Sequence, residues 1–408
     1  MNPTPHVSLL ASPPPSPSPA PADSFDALLD RVHAIGRDVI APLADDCDRD
    51  ARFPHEAFDA LRAERLLSAY IPEEFGGLGL SIGQVARLCE TLGQYCASTG
   101  MIFAMHQIQI ACIVHHGLET PFFRDYAREI AARQLLVASA TTEMGIGGDV
   151  RSSICAVKVV DNYFMLEKQA PVISYGAHAD AILVTCRSSE EAPRNDQSLV
   201  LVRTDDLTLK QLSVWDTLGF RATCSPGFEL KSIGRSEQIF PVPYAEIHAR
   251  TQHPVAHLLW SSLWLGMAAD ALTRARQVVR AEARKTPGVM PISATRLAEA
   301  DLVLNALRSI VKSTLAEYET LLAQREGDSF ARFGFALRVN NLKLSASQML
   351  LDIVTRAMLI CGIQGYRNDS KLTLGRALRD AMGASLMVNN DRILGQNATM
   401  QVGLREAS

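Results

Sequence analysis

The spacing of apolar residues changes period twice along this chain, and that change limits the folds open to it. Phe25, Leu28, Leu29, Val32, Ile35, Val39 and Ile40 recur at helical spacing behind Ser24, a side chain suited to cap a helix. Phe58, Leu61, Leu66 and Leu67 mark a second helical face, and Ser81 is placed to cap the next. Helical patterns then run from Met101 to His116 and from Phe122 to Ala132. Near Leu135 the period shortens, and 136–140, 181–185 and 199–202 are brief runs with β-branched residues between polar turns. After Pro254 the helical period returns over about 257–284, 294–325, 330–361 and 373–388. The expected architecture is therefore α+β and multi-domain. An N-terminal α-helical domain (24–134) precedes a middle β-barrel or sandwich domain (135–250), and a C-terminal four-helix bundle (251–408) follows.

The chain's 408 residues exceed what one core usually serves, and 47% hydrophobic content is ample for several packed layers. Residues 1–23 are read apart from the fold, because the prolines between Ser12 and Pro21 lack donor N–H groups and fix φ; a dispensable, disordered tail is expected. A net charge of −4 with scattered Lys and Arg gives no footprint for nucleic acid or an anionic membrane. The apolar run Val7–Ala11 is too short for a membrane span or an export signal, so a cytoplasmic location is expected. The eight cysteines show neither a CxxC pair nor a Cys/His cluster, which points away from zinc and disulfides, and no metal is expected. His115 and His116 are adjacent on a helix and point about 100° apart, so they are read as structural.

No GxSxG, HExxH or Walker A motif is present. Gly145-Ile146-Gly147-Gly148 follows a strand, but without alternating βα pattern around it a dinucleotide fingerprint fails on context, and a tight turn is the plain reading. Seven segments, one of which holds that glycine cluster, carry more when taken in order: Ile71–Gly79 (IPEEFGGLG), Thr141–Asp149 (TTEMGIGGD), Val172–Asp180 (VISYGAHAD), Leu218–Thr223 (LGFRAT), Arg284–Gly288 (RKTPG), Gly362–Tyr366 (GIQGY) and Arg379–Ala381 (RDA). Together, on the same helical, β, helical plan, they resemble the acyl-CoA dehydrogenase family of flavoproteins over about residues 24–400.

The resemblance implies FAD between the β domain and the bundle, in a homodimer or homotetramer. Thr142 and the backbone after it, including Gly147 and Gly148, would meet the flavin's pyrimidine edge, and Ser174 would bring a hydroxyl near N5. Arg284 offers a guanidinium fork to a pyrophosphate, and with Gln364 and Gly365 would reach a neighbouring subunit's FAD. Without the resemblance, Arg284 reads as a solvated charge at a helix end. Four departures alter the flavin pocket: Met144, Gly148, Val172 and Pro287 stand where the family has proline, serine, tryptophan and phenylalanine.

A further departure bears on the reaction. The family removes the α-proton of an acyl thioester with a glutamate about eight residues after the aspartate of RDA; here that count reaches Val388, with Asn389 and Asn390 following. The alternative site on the first long helix of the bundle is the turn Leu258–Trp264, which holds no acid. Four readings stay open. The base has moved to Asp391; Glu143 serves; the protein is a flavin monooxygenase or N-oxygenase that needs no strong base; or it binds flavin or a partner without catalysis. Arg221, Val388, Asn389 and Asn390 are then candidates for substrate contact, although Asn389, Asn390 and Asp391 also suit a helix end and turn. The expected activity is oxidation of the α,β-bond of an acyl thioester on CoA or an acyl carrier protein, with an electron-transfer flavoprotein or oxygen as acceptor.

Overall fold

The computed structural model describes residues 24–147, 149–324 and 333–403, so Gly148 and the proline-rich tail lie outside the described residues. Ser24 Oγ accepts from Ala27 N at 3.3 Å and opens α1 (Phe25–Ile35), which runs through a π-helical turn into α2 (Ala41–Arg49). After α3 (His55–Ala63), a full capping box between Ser81 and Gln84 starts α4 (Ile82–Gly93). Then come α5 (Ala97–His116) and α6 (Pro121–Arg133). α5 is buried on nearly every side, which is why its apolar residues show no single face.

The middle of the chain folds into two sheets. β1 (Val137–Ala140) pairs in parallel with β4 (Ala181–Arg187), which pairs antiparallel with β5 (Gln197–Arg203). The second sheet has the order β2-β3-β7-β6, from β2 (Lys158–Val160), β3 (Tyr163–Ala170), β7 (Phe228–Arg235) and β6 (Leu207–Gln211). The first sheet comprises the three apolar runs found by sequence. The second escapes an apolar-run search because it is half solvated: β3 and β7 alternate buried and exposed residues.

The C-terminal helices are α7 (Tyr244–Ile247), α8 (His253–Lys285), α9 (Ile292–Gln324), α10 (Phe333–Cys361), α11 (Ile363–Tyr366), α12 (Gly375–Ala384) and α13 (Asn390–Gly403). α8 and α9 run antiparallel, as Arg276 pairs with Asp301 and Ser293 bonds Glu282, whereas α10 returns parallel to α8, with His253 level with Asn340. A Cβ at Gly266 would collide with the backbone of Glu90, so the bare backbone there lets α8 close on α4. Helix α13 was not expected, because its few buried residues, Ile393 and Asn397, make no apolar stripe. By length and composition alone, Ala97–His116, Tyr244–Lys285 and Gly334–Cys361 could cross a membrane. In the first two, nearly the whole apolar window is buried inside this fold.

Candidate active site

The loop after β1 forms one wall. Thr142 Oγ1 donates to Val172 O at 3.1 Å, and Met144 N donates to Gln169 O at 2.9 Å, so this loop lies along the end of β3. Buried Ser225 donates to Ser174 Oγ at 2.9 Å. Behind them Tyr175, in a left-handed conformation, anchors its hydroxyl on Val137 O at 3.0 Å. Met144, Ile154 and Val172 are 53%, 39% and 37% exposed, while a Cβ on Gly145 would touch Ile154. A polar strand end therefore carries an uncovered apolar platform edged by the Thr142 and Ser174 hydroxyls, which fits a planar ring with polar edges. Gly145 and Gly147 have positive φ, and a Cβ on Gly147 would meet nothing within 4 Å, leaving open space beside the backbone.

Glu143 points the other way. Its buried carboxylate accepts from Ile154 N at 3.0 Å and Cys155 N at 2.6 Å, and Lys168 Nζ stands 4.0 Å away. Lys168, whose pKa burial lowers, also donates to Thr185 O at 2.7 Å and Thr185 Oγ1 at 3.0 Å. Both oxygens of Glu143, a candidate base by sequence, are used to hold the loop.

The opposite wall is the segment Ser385–Asn389 and the start of α13. Val388, at the position of the missing base, has φ +48°, a left-handed conformation that β-branched residues avoid. Asn389 Oδ1 accepts from Asp391 N at 2.9 Å, so it begins α13 rather than ending α12. Asn390 turns inward: its Oδ1 accepts from Lys343 Nζ at 2.6 Å and its Nδ2 donates to Ser347 Oγ at 3.1 Å. Arg392 donates to Gly147 O and joins the two walls. Asp391 is exposed in the first turn of α13 and so lacks the apolar enclosure expected of a displaced base. Asp391→Asn is expected to change the rate of flavin reduction less than about two-fold and to cost about 0.5 kcal/mol of helix-dipole stabilisation. Stopped-flow reduction slowed about 100-fold with flavin still bound would restore it as the base.

The RDA segment is an anchor. Arg379 Nη2 bonds buried Asp48 at 2.5 Å and its Nη1 donates to Leu218 O at 3.1 Å. Asp380, pushed up to about 6 by burial, accepts from Phe220 N at 2.6 Å. Arg221 was expected at the substrate, but its donors go to Asp48 O at 2.9 Å, Asp216 Oδ1 at 2.8 Å and Thr217 O at 2.8 Å. It ties the β domain to α2. The turn Leu258–Trp264 is buried apart from the half-buried Trp260 and carries no acid.

Arg284 and Gln364 lie exposed at the far end of the bundle, and Gly365 is buried there against Cys361. With His257 level with Val339, Arg284 sits ~40 Å further along α8 at ~1.5 Å per residue. Lys343 stands four residues, ~6 Å, beyond Val339 on the parallel α10, so ~35 Å separate Arg284 from the Lys343–Asn390 level, where Arg392 meets the Gly147 loop.

Comparison with known proteins agrees with this architecture. Residues 23–121 match the acyl-CoA dehydrogenase N-terminal domain and residues 255–391 the acyl-CoA dehydrogenase C-terminal domain. The chain belongs to the acyl-CoA dehydrogenase family and is a flavoenzyme, in agreement with the FAD expected from the sequence. It is 28% identical over 357 residues, 84% of each chain, to the amino sugar nitrososynthase DnmZ of Streptomyces peucetius. Butyryl-CoA dehydrogenase of Megasphaera elsdenii superposes with a TM-score of 0.78 at 19% identity, covering 93% of this chain and 98% of that one. FMN-bound TdsC of Paenibacillus sp. A11-2 gives 0.80 at 19% identity over the same shares.

Proposed function

We propose that this flavoenzyme is an oxygenase acting on the nitrogen of an amine, and does not abstract the α-proton of an acyl thioester. Val388 carries the reading. A hydrocarbon side chain stands where thioester oxidation calls for a proton acceptor, while Asp391 is exposed and Glu143 is spent on backbone N–H groups. An α-C–H bond of a thioester is too weakly acidic to break without a positioned base. An amine nitrogen presents its lone pair in the free-base form, and because an ammonium proton exchanges readily with water, no positioned carbon-acid base is required. The relative named an amino sugar nitrososynthase, which shares 84% of its length with this chain, supports a nitrogen substrate of amino sugar type.

Bound flavin would supply the two-electron chemistry. Thr142 and Ser174 would orient it by its polar edge, Met144 and Val172 would cover it from water, and Arg392 would keep the two walls together. The net step takes one amine, O2, two electrons from a reduced nicotinamide or partner reductase, and two protons, and yields a hydroxylamine and water. The form of the cofactor is FAD by the same reading, because Arg284 and Gln364 lie too far from this chain's own ring site to serve it and suit a neighbouring copy's dinucleotide. Exposed Leu359, Ile363 and Tyr366 at that end are consistent with a homo-oligomer.

The test has two arms. Mixed anaerobically with a panel of acyl thioesters on CoA and acyl carrier protein, the yellow protein should keep its oxidised spectrum. Given a reductant, oxygen and amino sugars, it should form a product heavier by one oxygen atom. Rapid bleaching by any thioester would return the chain to the dehydrogenases, and extraction of FMN alone would overturn the FAD assignment.

A further inference from the structure

Lys343 and Ser347 are both fully buried and stand one turn apart on α10, so their side chains share a face. Between them sits the Asn390 amide, its oxygen 2.6 Å from Lys343 Nζ and its nitrogen 3.1 Å from Ser347 Oγ. The Ser347 hydroxyl donates to Leu344 O at 2.9 Å, which leaves only a lone pair for Asn390. The amide can therefore enter in one orientation, oxygen to the ammonium and N–H to the serine, and a carboxylate could not satisfy both partners. Asn390 is the one hydrogen-bond partner of Lys343 among the described residues, so a buried cation is held by a single neutral acceptor. Such a group is retained at a cost that packing alone does not explain. Two residues before the amide stands Val388, in a conformation that persists only where its surroundings force it.

We propose that Lys343 and Ser347 are positioning residues: by gripping the Asn390 amide at both ends they hold the Ser385–Asn389 loop, and with it strained Val388, against the flavin site. The arrangement also accounts for Asn390 itself, which touches α10 and is not available to the substrate. The inference rests on the site's location and not on the oxygenase reading, since the loop would be held in either reaction. Burial lowers the Lys343 pKa to about 8, which is consistent with an ammonium lacking a counter-ion.

The test uses the flavin-bound full chain and a double-mutant cycle between Lys343→Met and Val388→Gly. Glycine relieves the strain, and its greater freedom in the unfolded chain is common to both backgrounds and cancels. The melting shift caused by Val388→Gly should be more favourable in the wild type than in Lys343→Met by about 1 °C or more. A smaller difference overturns the clamp. The second readout needs no substrate: the flavin is photoreduced anaerobically, and its reoxidation by O2 is followed in stopped flow. Lys343→Met and Asn390→Asp should each change that rate about five-fold or more, and Ser347→Ala in the same direction by less. Arg338→Met, an exposed change on the same helix, should leave it unaltered. An unchanged rate in both Lys343→Met and Asn390→Asp would reduce the triad to core packing, and if Lys343→Met does not fold, Asn390→Asp and Ser347→Ala decide.

Discussion

Taken from pH 7 to pH 5, the protein is expected to lose much of its folding free energy and to take up protons as it unfolds. Three buried histidines cause this. His106 is fully enclosed, accepting from Val137 N at 3.0 Å on Nδ1 and meeting Leu67 O at 2.7 Å through Nε2. One nitrogen accepts and the other donates, so the ring is neutral, and a second proton would expel the Val137 N–H. Burial pushes His106 and His116 down to about 4. It holds His257 well below the usual value as well, helped by the nearby charges of His253 and Lys343. These folded-state values lie below the unfolded value near 6.5, so the unfolded chain binds more protons as pH falls. The stabilisation is complete above about pH 6.5 and is lost as pH drops toward about 4. At ~1.4 kcal/mol per pH unit, His106 and His116 each forfeit ~2 kcal/mol by pH 5, a sizeable share of the stability of an ordinary domain, and His257 adds in the same direction. Denaturant midpoints at pH 7, 6 and 5 measure it; a midpoint that stays level would show that these rings are accessible to protons in the folded state.

Glu143→Gln is expected to destabilise the protein by about 3 kcal/mol and to lower flavin occupancy. The substitution keeps one acceptor oxygen but replaces the other with an N–H₂ group facing Ile154 N or Cys155 N, and removes the carboxylate that stands 4.0 Å from Lys168 Nζ. Breaking a buried ion pair from one side typically costs about 3–5 kcal/mol, because the remaining charge stays out of water. Adding Lys168→Met removes that orphaned charge and should recover about 1–2 kcal/mol relative to the single variant. Were Glu143 the catalytic base, Gln would behave differently: the denaturation midpoint would hold while turnover vanished. Equilibrium unfolding of both variants separates the two, and an unchanged midpoint in Glu143→Gln rejects the loop-holding role.

Several features of the site could be seen before any fold was known. The caps at Ser24 and Ser81 act within three residues of themselves, and a local pattern suffices to find such bonds. Counting from Asp380 to Val388 needs only the chain and the family's spacing, and the hydrocarbon at that place is a matter of residue identity. The role of the neighbours could not be seen in the same way. Three polar residues in a row read equally as a helix end and as a binding loop. Asn389 proves to start a helix, Asn390 is drawn inward by Lys343 and Ser347, and Asp391 is left outside. The one signal that hinted at this was Lys343 itself, a charged residue at an apolar position of a helical pattern.

Period and residue identity, then, settle the order of helical and β segments and the vacancy at Val388, since both depend on covalent neighbours and side-chain chemistry. Which carboxylate is enclosed and which is solvated depends on groups far away in the chain. Arg221 is claimed by Asp48 and Asp216, and Glu143 by Ile154, Cys155 and Lys168. Each of these residues looked available as a free side chain. Packing gave them other partners, because a buried charge or amide is held by the nearest group able to satisfy it, and only the tertiary structure decides which group that is.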